Sequence, residues 1–343
     1  MIRVDNVMQS AAGVEFTGAV ARVEHRGRVV FERAYGTTRN DALARPVYCD
    51  TCFDLASLTK LFIATLALQL VAAERLSLDD PLWTVLPEWK IGRHAAITAR
   101  MLLAHNSGMN SGADYREILN ENVEHFALGT PLLAAPGERV IYSDLGFIAL
   151  GVAIERIAGR SLAAAARATF GNALEFRPSS RARLAIPATE ADAWRGRVQG
   201  FVHDEKAYLM GGAAGHAGLF GTAAGVAAMT ESYLAPFHFR DAALLPAPLT
   251  RASVSEQAYD PVLRRGLGWA LKTNDENSCG RWMDASSFGH TGFVGTCIWA
   301  DPVRDVQGVL LTNAVYFGRD AAPSSELSLR IRFYEAMMED LSF

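Results

Sequence analysis

The stretch Gly18-Ala19-Val20-Ala21-Arg22-Val23-Glu24-His25-Arg26-Gly27-Arg28-Val29-Val30-Phe31-Glu32-Arg33-Ala34-Tyr35 decides the architecture. It reads as two strands, Gly18 to His25 and Val29 to Tyr35, joined by Arg26-Gly27-Arg28 with glycine at the turn. A lone two-stranded hairpin is marginal in water, so it needs partners. Strand character returns only late in the chain, at Gly266 to Lys272, Phe293 to Ala300 and Val306 to Asn313, before a helical stretch from Glu326 to Leu341. These strands are expected to complete one antiparallel sheet with the hairpin. Between them the pattern turns helical, at Ser57 to Arg75, Thr98 to Leu103, Leu145 to Ala158, Ser161 to Phe170 and Thr222 to Leu234, punctuated by Pro136-Gly137 and Gly211-Gly212. The fold class is therefore α/β of the α+β kind. One domain is expected over residues 1–343, with a mixed α/β lobe of about 15–60 and 262–343, a helical lobe of about 61–261, and a cleft between them.

Composition narrows the function. The chain has 343 residues, half of them hydrophobic, 33 Lys and Arg against 37 Asp and Glu, and a net charge of −4. With no block of like charge, the electrostatic footprint of a nucleic-acid partner is missing. Four cysteines do not make a disulfide framework, and Cys49 and Cys52 form a C-x-x-C with no second ligand pair to complete a zinc site. The segment Met1 to Ser10 carries Arg3, Asp5 and Asn6 where a secretory signal needs an apolar run, and Leu61 to Ala73 is too short to span a bilayer. A cytoplasmic protein without a membrane span is expected.

Three short constellations could carry chemistry. Ser57-Leu58-Thr59-Lys60 opens the first long helix, where positions i and i+3 share a face, so the Ser57 hydroxyl and the Lys60 amine can meet. A serine needs such a neighbour to become a nucleophile. The chain holds 29 arginines but only four lysines, Lys60, Lys90, Lys206 and Lys272. A lysine among Leu58, Leu61 and Phe62 therefore marks a place that arginine does not fill. The second constellation, Pro136-Gly137-Glu138-Arg139-Val140-Ile141-Tyr142-Ser143-Asp144, puts the Tyr142 phenol at a loop-to-helix junction, suited to proton relay. The third, Gly289-His290-Thr291-Gly292-Phe293, lets a substrate approach the backbone at Gly292 and aims the Phe293 N–H as an oxyanion donor beside that of Ser57. Taken singly, each has a structural alternative: an N-cap serine, a buried tyrosine, a glycine-flanked turn.

Together and in this order the three elements resemble the serine-type penicillin-recognising family, whose Ser-x-x-Lys and Lys-Thr-Gly motifs they approach. The chain is similar to class C β-lactamase-related serine hydrolases, a group that includes D,D-peptidases, family VIII esterases, D-aminopeptidases and acyltransferases. Phe53 to Ser57, Leu76 to Pro81, Ile97 to Gly108 and Gly215 to Phe220 extend the likeness to roughly residues 15–340. The resemblance implies a β-lactamase/D,D-peptidase-like fold, with an antiparallel sheet flanked by helices, an all-α lobe and the active site between them. It implies Ser57 as acylated nucleophile, Lys60 as its proton-transfer partner, Tyr142 as general base, the N–H groups of Ser57 and Phe293 as oxyanion hole, and Asp144, His290, Thr291 and Gly292 as substrate-binding residues. No metal and no cofactor is implied, and the expected partner is a small ester or amide.

Two positions depart from the family pattern. His290 stands where a lysine often supplies a permanent cation for a substrate carboxylate, and a histidine is mostly neutral at pH 7. Asp144 stands where an asparagine can donate to a substrate carbonyl; an ionised carboxylate only accepts, and it could instead pair with Lys60 and hold it charged, moving the base role to Tyr142. Outside the motifs, His105 reads as a histidine bonded to backbone. In His203-Asp204-Glu205 adjacent side chains point apart, so a metal site is not expected, and His216 is expected near the substrate rim.

Overall fold

The computed structural model describes residues 1–112, 114–241, 244–319 and 322–343. The chain opens with a helix, α1 (Ile2–Ala11), then the hairpin β1 (Gly18–His25) and β2 (Arg28–Gly36), and a two-residue strand β3 (Phe53–Asp54). The middle holds α2 (Thr59–Ala72), α3 (Ala99–Leu103), α4 (Val123–Gly129), α5 (Asp144–Ala158) and α6 (Leu162–Phe170). After these come β4 (Leu174–Phe176), β5 (Ala191–Asp192), β6 (Gly196–Arg197), α7 (Glu205–Leu209), β7 (Leu219–Gly221), α8 (Ala223–Leu234) and α9 (Ala247–Ser253). The end supplies β8 (Arg264–Arg265), β9 (Ala270–Leu271), β10 (Phe288–Thr291), β11 (Cys297–Asp301), β12 (Val306–Thr312) and α10 (Ala322–Asp340).

The hairpin does find its partners at the far end of the chain. One seven-stranded antiparallel sheet runs β2-β1-β12-β11-β10-β9-β8, with Val20 opposite Leu311 and Cys297 opposite Leu310. Its inner strands alternate between two cores, as a period of two requires. Val20, Ile298, Ala300, Val309 and Leu311 join α2, α5 and α8 in one cluster, while Ala19, Ala21, Val23, Cys297, Trp299 and Leu310 face α1 and α10 in another. The outermost strand, β2, is mostly exposed and carries Arg28, Glu32 and Arg33, charges that blunt an open edge. Helix α8 packs on the sheet, and Gln307 donates to the Ala227 carbonyl at 3.2 Å.

Three local expectations are corrected. Residues 292–296 are a turn and not the start of a strand, because Gly292 N–H closes onto the Thr296 carbonyl at 2.7 Å; His290 and Thr291 therefore lie within β10. Residues 266–269 likewise turn between β8 and β9, closed by the Gly266 N–H on the Trp269 carbonyl at 2.8 Å. Residues 2–11, to which the sequence reading assigns no element, form helix α1: Val4, Met8 and Ala11, spaced by four and three, are its buried stripe. No helix among the described residues is long and apolar enough to cross a membrane.

Candidate active site

Ser57 sits in a short 3-10 turn (Ala56–Leu58) that leads from β3 into α2. The turn is anchored on both sides. Leu55 N–H bonds the Leu219 carbonyl at 3.0 Å beside the β3–β7 pairing, and buried Asp54 accepts from Ala56 N–H at 2.8 Å and from His203 N–H at 2.6 Å. Ala56 is held at φ +46°, a left-handed conformation costing a side-chain-bearing residue roughly 1–2 kcal/mol, so the surrounding bonds over-determine it. The N-cap alternative for Ser57 does not hold. Helix α2 begins after Leu58 with no side-chain cap, and the Ser57 Oγ accepts instead from the Lys60 ammonium at 3.1 Å.

Lys60 is fully buried among apolar neighbours, and its three protons are all used: on Ser57 Oγ, on Asp144 Oδ1 at 2.9 Å and on the His216 carbonyl at 3.1 Å. Burial works to lower the pKa of this amine, but the Asp144 carboxylate and the Tyr142 phenol outweigh it and raise it above its ordinary value. Asp144 caps this arrangement as the first residue of α5. Burial pushes its carboxyl up, and the opposing cations Lys60 and Lys206, with His216, hold it below its ordinary value.

Tyr142 precedes α5, its carbonyl accepting from Ser111 Oγ at 2.9 Å. Two cations lie near its ring: the Lys60 nitrogen is 4.9 Å from the centroid and the Arg265 guanidinium carbon 5.4 Å. The His105 ring packs against it in a tilted arrangement, centroids 4.6 Å apart, and His105 Nδ1 accepts from the Ser143 N–H at 3.1 Å, the backbone-bonded role expected of that residue. Burial, then the neighbouring cations Arg265 and Lys60, put the His105 imidazole well below its ordinary pKa.

The third constellation closes the site from β10. Gly292 lies against the Ser57 turn so closely that a β-carbon there would fall 2.1 Å from Thr296 Oγ1 and 2.8 Å from the Leu55 carbonyl oxygen. Only glycine permits that approach. Arg330, from α10, donates to the Gly292 carbonyl at 2.7 Å and holds the loop from behind. Phe293 follows, half-exposed at the mouth, its ring stacked on His203 at 5.5 Å. Gly292→Ala is expected to push this loop off the Ser57 turn, lowering turnover of an activated ester by roughly 10²- to 10³-fold, the cost of losing an oxyanion donor. An unchanged rate in that variant would place the Phe293 amide outside the chemistry.

Ser57, Tyr142, His290, Thr291, Gly292 and Phe293 all border one cavity of about 550 Å³, while Lys60 and Asp144 lie behind Ser57. His290 is buried, and burial, then Lys60 and Arg265, push its imidazole down to about 3, so it is neutral at pH 7. Arg265 borders the same cavity, is 8% exposed, and its Nε has no hydrogen-bond partner among the described residues. Nothing in the sequence singles it out among 29 arginines. His216 is not at the rim: it is buried, with Nε2 on Asp204 at 2.7 Å and its carbonyl on Lys60. His203, Asp204 and Glu205 point apart, to Glu190, His216 and Arg319 respectively.

A serine bonded to a buried ammonium, a phenol beside two cations and a glycine-closed loop come together at one cavity of a β-lactamase/transpeptidase-like fold. The chain belongs to the Beta-lactamase family, whose model matches residues 4–330. It is 30% identical to esterase EstB of Burkholderia gladioli over 92% of this chain and 91% of that protein. To the N-acetylmuramyl-L-alanine amidase of Bacillus subtilis (strain 168) it is 29% identical over 91% of this chain and 80% of that one. Among solved structures, EstCE1, a hydrolase with promiscuous acyltransferase activity, superposes with a TM-score of 0.78 at 21% identity, covering 97% and 98% of the two chains.

Proposed function

We propose that the protein cleaves small esters or amides through an acyl-enzyme on Ser57. The observation that carries this reading is the 3.1 Å contact between the Lys60 ammonium and the Ser57 oxygen at the floor of the cavity. Lys60, kept protonated by Asp144, has no lone pair to offer, so it orients the Ser57 oxygen and stabilises charge developing there. Tyr142 is then the residue that takes the Ser57 proton as Oγ attacks the carbonyl carbon, a step that needs it as the phenolate, beside the Lys60 and Arg265 cations. The N–H groups of Ser57 and Phe293 receive the oxyanion, Tyr142 returns the proton to the departing alcohol or amine, and water repeats the cycle to release the acid. An esterase relative and an amidase relative both support this range of substrates.

A second reading has its own observation. Buried Arg265 faces the cavity without an ion-pair partner among the described residues, which favours a substrate with a carboxylate, as penicillins and D-alanyl peptides have. Turnover of a neutral activated ester beside a penicillin separates the two. Efficient ester cleavage with the penicillin untouched supports the esterase reading, a stable or hydrolysed penicillin adduct the second, and inertness toward both overturns the serine-hydrolase proposal. Tyr142→Phe is expected to keep the ring packed on His105 and so keep the fold, yet slow acylation by roughly 10²- to 10⁴-fold, the usual share of general acid–base catalysis. Stopped-flow release of the leaving group measures it, and a wild-type rate would return the base role to another group.

A further inference from the structure

A second of the four lysines converges on the same carboxylate. Lys206, on α7, lies 3.4 Å from Asp144 Oδ2, on the side away from Lys60, and 3.8 Å from Asp204 Oδ2. Asp204 in turn receives His216 Nε2 at 2.7 Å and caps α7 through the Ala207 N–H at 2.8 Å. The His216 carbonyl closes the ring on Lys60 at 3.1 Å. The loop bearing His216 is pressed onto α5: a β-carbon at Gly215 would fall 1.8 Å from the Phe147 carbonyl oxygen. Charges thus alternate from Ser57 inward: Lys60, Asp144, Lys206, Asp204, with His216 bonded to the last.

Asp144, Asp204 and His216 each place a ligand-type atom within 4.8 Å of one another, the spacing of a cation site. Here two ammonium groups already balance the two carboxylates, and the cluster is an ion-pair network. A half-buried carboxylate with one cation at 2.9 Å has its second oxygen to satisfy, and Lys206 does that.

We propose that Lys206 is a positioning residue of the reaction, holding Asp144 ionised and turned toward Lys60, with Asp204 and His216 fixing Lys206 from behind. This rests on the Ser57 acyl-enzyme reading. The groups facing Asp144 are Lys60 from α2, His216 from the loop before β7, and Lys206 and Asp204 from the start of α7; Glu205 adds its charge to Lys206 from the same turn, and Tyr142 its own to Lys60. The carboxylate form of Asp144 holds the Lys60 ammonium in place beside Ser57, so activity is lost on acidification as Asp144 takes a proton and that ion pair loosens.

The test is the acid limb of the kcat–pH profile for an activated ester. Lys206→Met removes a cation beside Asp144, so its carboxyl titrates higher and the limb moves up by on the order of one pH unit, a tenfold loss of kcat below both midpoints. Asp204→Asn keeps an acceptor for the α7 cap but removes an anion, so the limb moves down. In an Asp144→Asn background, Lys206→Met moves the limb no further. Opposite shifts of the two single variants cannot come from damaged packing, and the Asp204→Asn shift stands even where Lys206→Met fails to fold. Limbs that stay in place, or move together, in variants that melt like the wild type overturn the role of Lys206. An ester left unhydrolysed by the wild type itself, or hydrolysed equally by Ser57→Ala, overturns the acyl-enzyme reading instead.

Discussion

Ser57→Ala is expected to abolish covalent labelling and to lower ester turnover by roughly 10⁴-fold or more, while leaving the fold intact. The serine is partly exposed at the cavity, and among the described residues its hydroxyl makes one bond, accepting from Lys60. The ammonium keeps Asp144 and the His216 carbonyl when that acceptor is gone, so the stability change is about 1 kcal/mol. Intact-protein mass spectrometry after incubation with an activated ester, and in parallel with a penicillin, gives the result directly. Wild-type protein gains the mass of the acyl group or of the drug and the variant gains neither. An adduct of equal yield in the variant would put the nucleophile elsewhere and sink the proposed function.

Lys60→Met is expected to be the second most damaging change, and through two separate effects. Met matches the volume of the aliphatic stem but removes the charge from a site with no solvent contact, leaving half-buried Asp144 with Lys206 beside it at 3.4 Å. Breaking a buried pair in this way costs about 3 kcal/mol, visible as a lower thermal midpoint. Acylation should slow by roughly 10²- to 10⁴-fold beyond that, because the Ser57 oxygen loses the donor that orients it. Lys60→Arg should not restore it: a planar guanidinium has neither the room nor the geometry to reach Ser57, Asp144 and the His216 carbonyl together. A folded Lys60→Met protein that acylates at the wild-type rate would remove Lys60 from the chemistry.

These expectations draw on unequal parts of the sequence. Ser57, Lys60 and Tyr142 were legible because local rules bind them: the i, i+3 pair meets on any helix, and a lysine among leucines is conspicuous beside 29 arginines. The hairpin of residues 18–35 was legible through its glycine turn, and its need for late partners gave the sheet. The strand limits near 266–272 and 293–300 were misjudged because β-pattern residues read alike in a strand and in a tight turn closed by one hydrogen bond.

Arg265 and the Lys206–Asp204–His216 network had no sequence signature, since their neighbours come from segments far apart in the chain. Lys206 is 62 residues from Asp144 and 146 from Lys60, and no period or spacing links them. By itself, then, the sequence determined a helical middle framed by early and late strands, the Ser57–Lys60 pair, the place of Tyr142 before a helix and the Gly289–Phe293 element, all written in local geometry. Only the tertiary structure decided that Asp144 faces Lys60, that His290 is buried and neutral while Arg265 borders the cavity, and that Lys206 stands beside Asp144. Charge, burial and desolvation depend on which distant side chains are brought together, and folding alone sets those distances.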